Sequence, residues 1–175
     1  MVYSKQERVM DLKKVALILS LFMLLGMAVA SAEITRGEDD FSGSPIINSW
    51  TKGMEPSQLK SLYFRKYVNT SPLSYEIEAS KITFKDFIFL GTFLELKIDN
   101  NPVQQLPIKE AKQMSLVRES DIYSRIIVPV PKNTIEEIEK ANRIALRLQT
   151  ASGSYVYILP DTILAEWKEV INTEK

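Results

Sequence analysis

Between Ser61 and Leu159 apolar and polar residues alternate in short runs separated by turn-forming residues, a period-two pattern that half-buried strands satisfy and helices do not. The cleanest runs are Ser74–Ser80, with Tyr75, Ile77 and Ala79 on one side, and Phe93–Ile98, with Leu94, Leu96 and Ile98 on one side. Asn69-Thr70-Ser71-Pro72, Asp99-Asn100-Asn101-Pro102 and Ala151-Ser152-Gly153-Ser154 supply the breaks, since such residues bond to nearby backbone, fix φ or tolerate left-handed turns. The pattern predicts a hairpin of 61–68 with 74–80. A second hairpin over 87–108 is expected to form the core of the sheet, and 109–117 a surface loop. Asp121–Val130 and Arg143–Thr150 read as further strands, the end of the former lying at an edge or leaving the sheet because Pro129 and Pro131 cannot donate ladder hydrogen bonds.

Two stretches change period. Thr134-Ile135-Glu136-Glu137 has the spacing of a capping box, in which the Thr hydroxyl and the Glu three residues on satisfy each other's orphan donors. It predicts a short helix near 134–141. Over 161–172, Ile163, Leu164, Trp167, Val170 and Ile171 form one apolar stripe at helical spacing, so a C-terminal amphipathic helix is expected to dock on the sheet through Trp167. The fold class is therefore mainly β: an antiparallel β-sandwich, Ig-like in the broad sense, or a partly open barrel, with these two helices.

Ahead of this region, Lys13 and Lys14 precede an apolar run from Val15 to Ala30, closed by small residues at Ala28, Ala30 and Ala32. A bilayer-spanning helix needs about 20 apolar residues. A basic start, a short apolar centre and an A-x-A end describe a secretory signal peptide, so residues 1–32 are expected to be a removed leader and the protein to be periplasmic or extracellular. Retention of the leader would leave a membrane tether, the only membrane contact expected. Residues 33–60, rich in Gly, Ser, Pro and acids, read as an extended N-terminal arm with one edge segment from Pro45 to Trp50. A lone Trp50 in such an arm is expected to pin it to the domain. Residues 61–175 then form a single β-rich domain.

Composition removes several chemistries. The chain has no histidine and no cysteine, which excludes Cys/His zinc sites and imidazole-assisted nucleophiles and leaves the core to stand without disulfides. Past the leader, 18 basic residues face 20 acidic ones, without the basic surplus that phosphate neutralisation requires, so no nucleic-acid partner is expected. No cofactor motif occurs. Glu38, Asp39 and Asp40 lack the spacing of a calcium loop and read as a solvated acidic stretch. Asn69-Thr70-Ser71 fits the N-glycosylation pattern.

Two functional readings remain. Tyr63, Arg65, Tyr67, Tyr123, Arg125, Arg147, Tyr155 and Tyr157 are expected to point outward from their strands. Tyr and Arg combine broad contact area with directed hydrogen bonds, so together they predict a surface for a protein or glycan partner on a non-catalytic module. The alternative is a carboxylate-dependent hydrolase acting on an envelope polysaccharide. Glu76 and Glu78 share a strand face about 6–7 Å apart, a separation suited to an inverting glycosidase, with Glu95 as a neighbour. Self-association through an edge strand such as Asp121–Val130 is a further expectation.

Overall fold

A computed structural model of the chain describes residues 32–38, 44–52, 59–84, 91–115, 121–150 and 153–174. The expected leader lies outside these residues apart from Ala32. Among the described residues, ten strands form two antiparallel sheets, and two short helices complete a β-sandwich-like fold. The strands are β1 (Ala32–Glu38), β2 (Pro45–Lys52), β3 (Ser61–Tyr67), β4 (Ser74–Phe84), β5 (Phe93–Ile98), β6 (Gln104–Pro107), β7 (Glu110–Ser115), β8 (Asp121–Val130), β9 (Ile144–Thr150) and β10 (Gly153–Ile158). The helices are α1 (Lys132–Lys140) and α2 (Asp161–Asn172).

The larger sheet runs β1-β2-β3-β4-β8-β7 and the smaller β10-β9-β5-β6. Four consecutive antiparallel strands open the larger sheet. The chain then crosses to make the β5–β6 hairpin, returns for β7 and β8, and crosses again to lay β9 beside β5. The expected 61–68/74–80 hairpin is β3–β4, in the register Phe64↔Ile77. Its turn is held by Thr70, whose hydroxyl donates to the Tyr67 carbonyl and accepts from the Ser74 N–H, each at 3.1 Å.

Several expectations are corrected. The 33–60 stretch is no loose arm where it is described: β1 and β2 are full members of the larger sheet, and Pro45–Trp50 lies inside it because β1 pairs along its outer side. Alternation there was hidden because Ser49 and Thr51 occupy inward positions and are fully buried polar residues. The described part of 109–117 is not a loop but strand β7, a polar edge paired with β8. The β5–β6 hairpin lies in the smaller sheet, with β6 at its edge, and residues 85–90 fall outside the described ones. Pairing is densest around β4, which pairs with β3 over Ser74–Ser80 and with β8 over Tyr75–Phe84. β8 itself is interior, covered by β7 over Ile122–Ile127, and its proline-bearing end beyond Ile127 lacks that neighbour. The capping box does not form. α1 starts two residues earlier, with Pro131 at its N-cap and no side-chain cap. Thr134 is buried and donates instead to Gln104 Oε1 at 2.7 Å, so a tertiary bond to β6 displaces the local one.

The inward residues of both sheets make one apolar cluster. Leu62 and Phe64 of β3, Ile77 of β4 and Ile126 and Val128 of β8 share it with Leu94, Leu96 and Ile98 of β5 and Ile144 and Leu146 of β9. Trp167, wholly buried, stacks on Phe64 with ring centroids 4.6 Å apart and planes 13° from parallel. The C-terminal end of α2 is capped from the sheet, where the Lys66 ammonium donates to the carbonyls of Ile171 and Thr173, both at 2.8 Å. A cation on those carbonyls satisfies orphan acceptors and complements the helix dipole.

Asp99 joins the β5–β6 turn to the start of β9. Its φ of +46° lies in the left-handed region, which Asp tolerates better than most residues. Its carboxylate accepts from the backbone N–H of Arg143 at 2.7 Å and of Asn142 at 3.0 Å. Asp99→Ala leaves both donors without this acceptor and keeps the strained φ, and is expected to cost about 2–3 kcal/mol in urea unfolding. Asp99→Asn, which keeps an acceptor oxygen and the tolerance for that φ, should lose less than half as much.

Candidate functional site

Alternation sends residues 61, 63, 65 and 67 of β3 to the outer face of the larger sheet, with 76, 78 and 80 of β4 and 123, 125 and 127 of β8. β4 lies between β3 and β8, so Tyr63, Arg65, Tyr67, Tyr123 and Arg125 share one face despite their separation in sequence. The other three expected residues lie elsewhere. Arg147 is on the outer face of the smaller sheet, paired with Glu95. Tyr155 and Tyr157 stand opposite Leu148 and Leu146 and turn into the core, because in β10 the outward positions belong to Ser154, Val156 and Ile158.

The centre of the five-residue face is a chain of ion pairs. Arg65 reaches diagonally across the strands to Glu78 at 2.6 Å, a geometry long side chains achieve readily on a sheet. Arg125 approaches Glu78 at 3.9 Å and Glu110 at 2.8 Å, and Lys112 meets Glu110 at 3.0 Å. Beside this chain, Glu76 accepts from the Tyr67 hydroxyl and the Lys109 ammonium, both at 2.8 Å. The groups line a shallow depression of about 490 Å³ whose walls include Asn48 and Ile127. Aromatic contacts flank it: Trp50 stacks on Tyr63 at 5.9 Å and 7°, the Arg65 guanidinium lies 4.7 Å from the Tyr63 ring centre, and the Lys60 ammonium lies 5.9 Å from that of Tyr123.

The acidic residues differ from expectation. Glu76 and Glu78 lie on the outer face, yet both are buried, because Arg65, Arg125, Lys109 and Tyr67 close over them. Glu95 is no neighbour of theirs. It belongs to the smaller sheet, bonded to Arg147 and Gln105, and the Arg147 hydrogen bond holds its carboxyl below the usual range. Hydrogen bonds from Lys112 and Arg125 do the same for Glu110. Burial, reinforced by the Glu78 carboxylate, pushes the Tyr63 phenol up.

Sequence reasoning missed Lys109, Glu110 and Lys112, because their segment carries no apolar alternation to mark it as a strand; Gln113 and Met114 of that segment are exposed. It placed Trp50 in the arm, and the ring does join that segment to the domain through Tyr63. Asp39 and Asp40 lie outside the described residues. Among the described residues no cluster of three or more acidic side chains is disposed to hold a metal ion, and no helix is long and apolar enough to cross a membrane.

No protein-family model matches the chain. No curated protein matches it. Among solved structures, it is similar to invasion associated protein b from Bartonella henselae, at 12% sequence identity and a TM-score of 0.43, over 81% of this chain and 95% of that one.

Two outcomes are expected from this geometry. Glu78→Gln leaves Arg65 without its closest carboxylate and should cost roughly 3 kcal/mol, the low end for breaking a buried pair, whereas Arg65→Met combined with Glu78→Leu should recover most of that loss in denaturant unfolding. Tyr157 provides a pH test. Burial, and to a smaller degree Tyr155, pushes its phenol up to about 12, and its hydroxyl has no hydrogen-bond partner among the described residues. A pKa raised above the unfolded value of about 10 gives stability that is complete below pH 10 and lost between pH 10 and 12. The slope there approaches about 1.4 kcal/mol per pH unit. Tyr157→Phe should be neutral or slightly stabilising at pH 7 and should flatten that alkaline fall in a series of thermal melts.

Proposed function

We propose that the protein is an exported, non-catalytic module that binds a protein or glycan partner of the cell envelope or extracellular space through the outer face of its larger sheet. The observation that carries this reading is the gathering of Tyr63, Arg65, Tyr67, Tyr123 and Arg125 on one face, around a shallow depression. Side chains held in place by ion pairs and stacking lose less freedom on binding, which favours recognition. The charges in the depression, four acidic and four basic side chains, balance one another, so a partner is met by shape and interleaved hydrogen bonds rather than by net charge. The export component rests on the leader pattern of residues 13–32 alone.

The hydrolase reading gains less support. An acid catalyst needs a carboxyl that carries a proton and faces the leaving group. Glu78 instead accepts from the Arg65 guanidinium with Arg125 at 3.9 Å, Glu76 accepts from an ammonium and a phenol, and Glu95 lies on the other sheet.

Binding is tested by comparing the wild-type protein with Tyr63→Ala and Arg125→Ala, each checked for native folding, in capture from an envelope extract and on an array of immobilised glycans. Loss of about tenfold or more in affinity is expected for each variant. Equal retention of partners by all three proteins would refute the face as a binding surface, and N-terminal sequencing of the exported form tests removal of the leader.

A further inference from the structure

Among the described residues the two sheets end in four edges, and three of them carry features that discourage pairing with another chain. β1 bears Arg36 and Glu38, β7 bears Glu110 and Lys112, and β6 is four residues long and ends in Pro107. Charges, prolines and short length are the usual protections of an exposed edge. β10, Gly153–Ile158, has none of them: its sequence GSYVYI contains no charge and no proline. Its outward side chains include Val156 and Ile158, which are 56% and 48% exposed. Next to Val156 lies a trough formed with Val103, Ala145 and the stems of Lys97 and Arg147.

The backbone of this strand is also aligned for pairing. β10 and β9 pair in a constant register, Tyr157↔Leu146 and Tyr155↔Leu148, and the Leu159 N–H continues it by donating to the Ile144 carbonyl at 2.9 Å. Hydrogen-bonded positions alternate along an antiparallel pair. Tyr155 and Tyr157 therefore bond to β9, while the N–H and C=O groups of Ser154, Val156 and Ile158 point to the open side.

We propose that β10 is a self-pairing edge, through which two copies of the chain join antiparallel about a two-fold axis at Val156. The two smaller sheets then become one continuous eight-stranded sheet. A two-fold axis sets each residue against its counterpart in reverse order, so Val156 faces the partner's Val156, and Ser154 faces the partner's Ile158. This register engages all three outward-pointing backbone positions on each strand, keeps Pro160 outside the ladder and brings the exposed apolar side chains together on one face. A second copy fits this edge because an uncharged strand of alternating small and apolar residues is complementary to itself and leaves no charge unpaired. The surface is separate from the outer face of the larger sheet, so either assignment can fail without the other.

Sedimentation velocity of the full chain across about a hundredfold range of concentration reads the equilibrium directly. Wild type is expected to shift from monomer to dimer. Val156→Lys, at a position exposed enough to spare the core, should remain monomeric with an unchanged circular dichroism spectrum. Met114→Lys, equally exposed at 56% on the β7 edge, should dimerise as wild type does. Because the chain has no cysteine, Val156→Cys places a single thiol on the axis, where opposed Cα atoms stand about 5.5 Å apart. A short thiol-bridging reagent should then join two copies covalently, and should fail to do so for Met114→Cys. A wild-type protein that stays monomeric throughout, a dimer that survives Val156→Lys, or a dimer that Val156→Cys does not bridge would overturn the proposal.

Discussion

The stack of Trp167 on Phe64 is the contact that lets this architecture close. A six-stranded sheet has a wider inner face than a four-stranded sheet can cover, and the uncovered side, β1 to β3, is where α2 lies. Without the helix, Phe64 and Leu62 would face water, and exposing side chains of that size costs about 1.5–3 kcal/mol each. Lys66 reinforces the same junction from below, with its ammonium on the carbonyls that end the helix. Burial pulls the Lys66 pKa down, which is the electrostatic cost of placing a cation there. The paired carbonyls offset it.

Much of the fold was legible because its strongest strands obey the two-residue period without exception. β5 and β9 place every long aliphatic residue on one side, and α2 shows its stripe as plainly. What failed did so for identifiable reasons. β2 and β7 put Ser, Thr and Gln at inward positions where the pattern asks for apolar residues, and β7, like β1, is an edge strand that meets the core on few positions. Thr134 has the local chemistry of a helix cap and spends its hydroxyl on Gln104 instead. A tertiary partner at 2.7 Å outcompetes a local one, and nothing in the neighbouring sequence announces it.

The candidate site was legible in residue type and illegible in geometry. Tyr and Arg at alternate positions of β3 and β8 announced a face, but only the order β3-β4-β8 makes it one face. Tyr155 and Tyr157 obey the same alternation and point inward, because phase along a strand is fixed by which neighbours it buries and not by the residue's chemistry. The buried carboxylates show the same limit. Glu76 and Glu78 share a strand face in the sequence, but their burial follows only once Arg65 and Tyr67 of β3, Arg125 of β8 and Lys109 are placed over them.

The helix that completes the core follows every described strand in the chain. Phe64, less than halfway along the sequence, is therefore lidded by residues near its far end. A polypeptide cut short before Asp161 would carry every described strand and still leave the floor of its core bare.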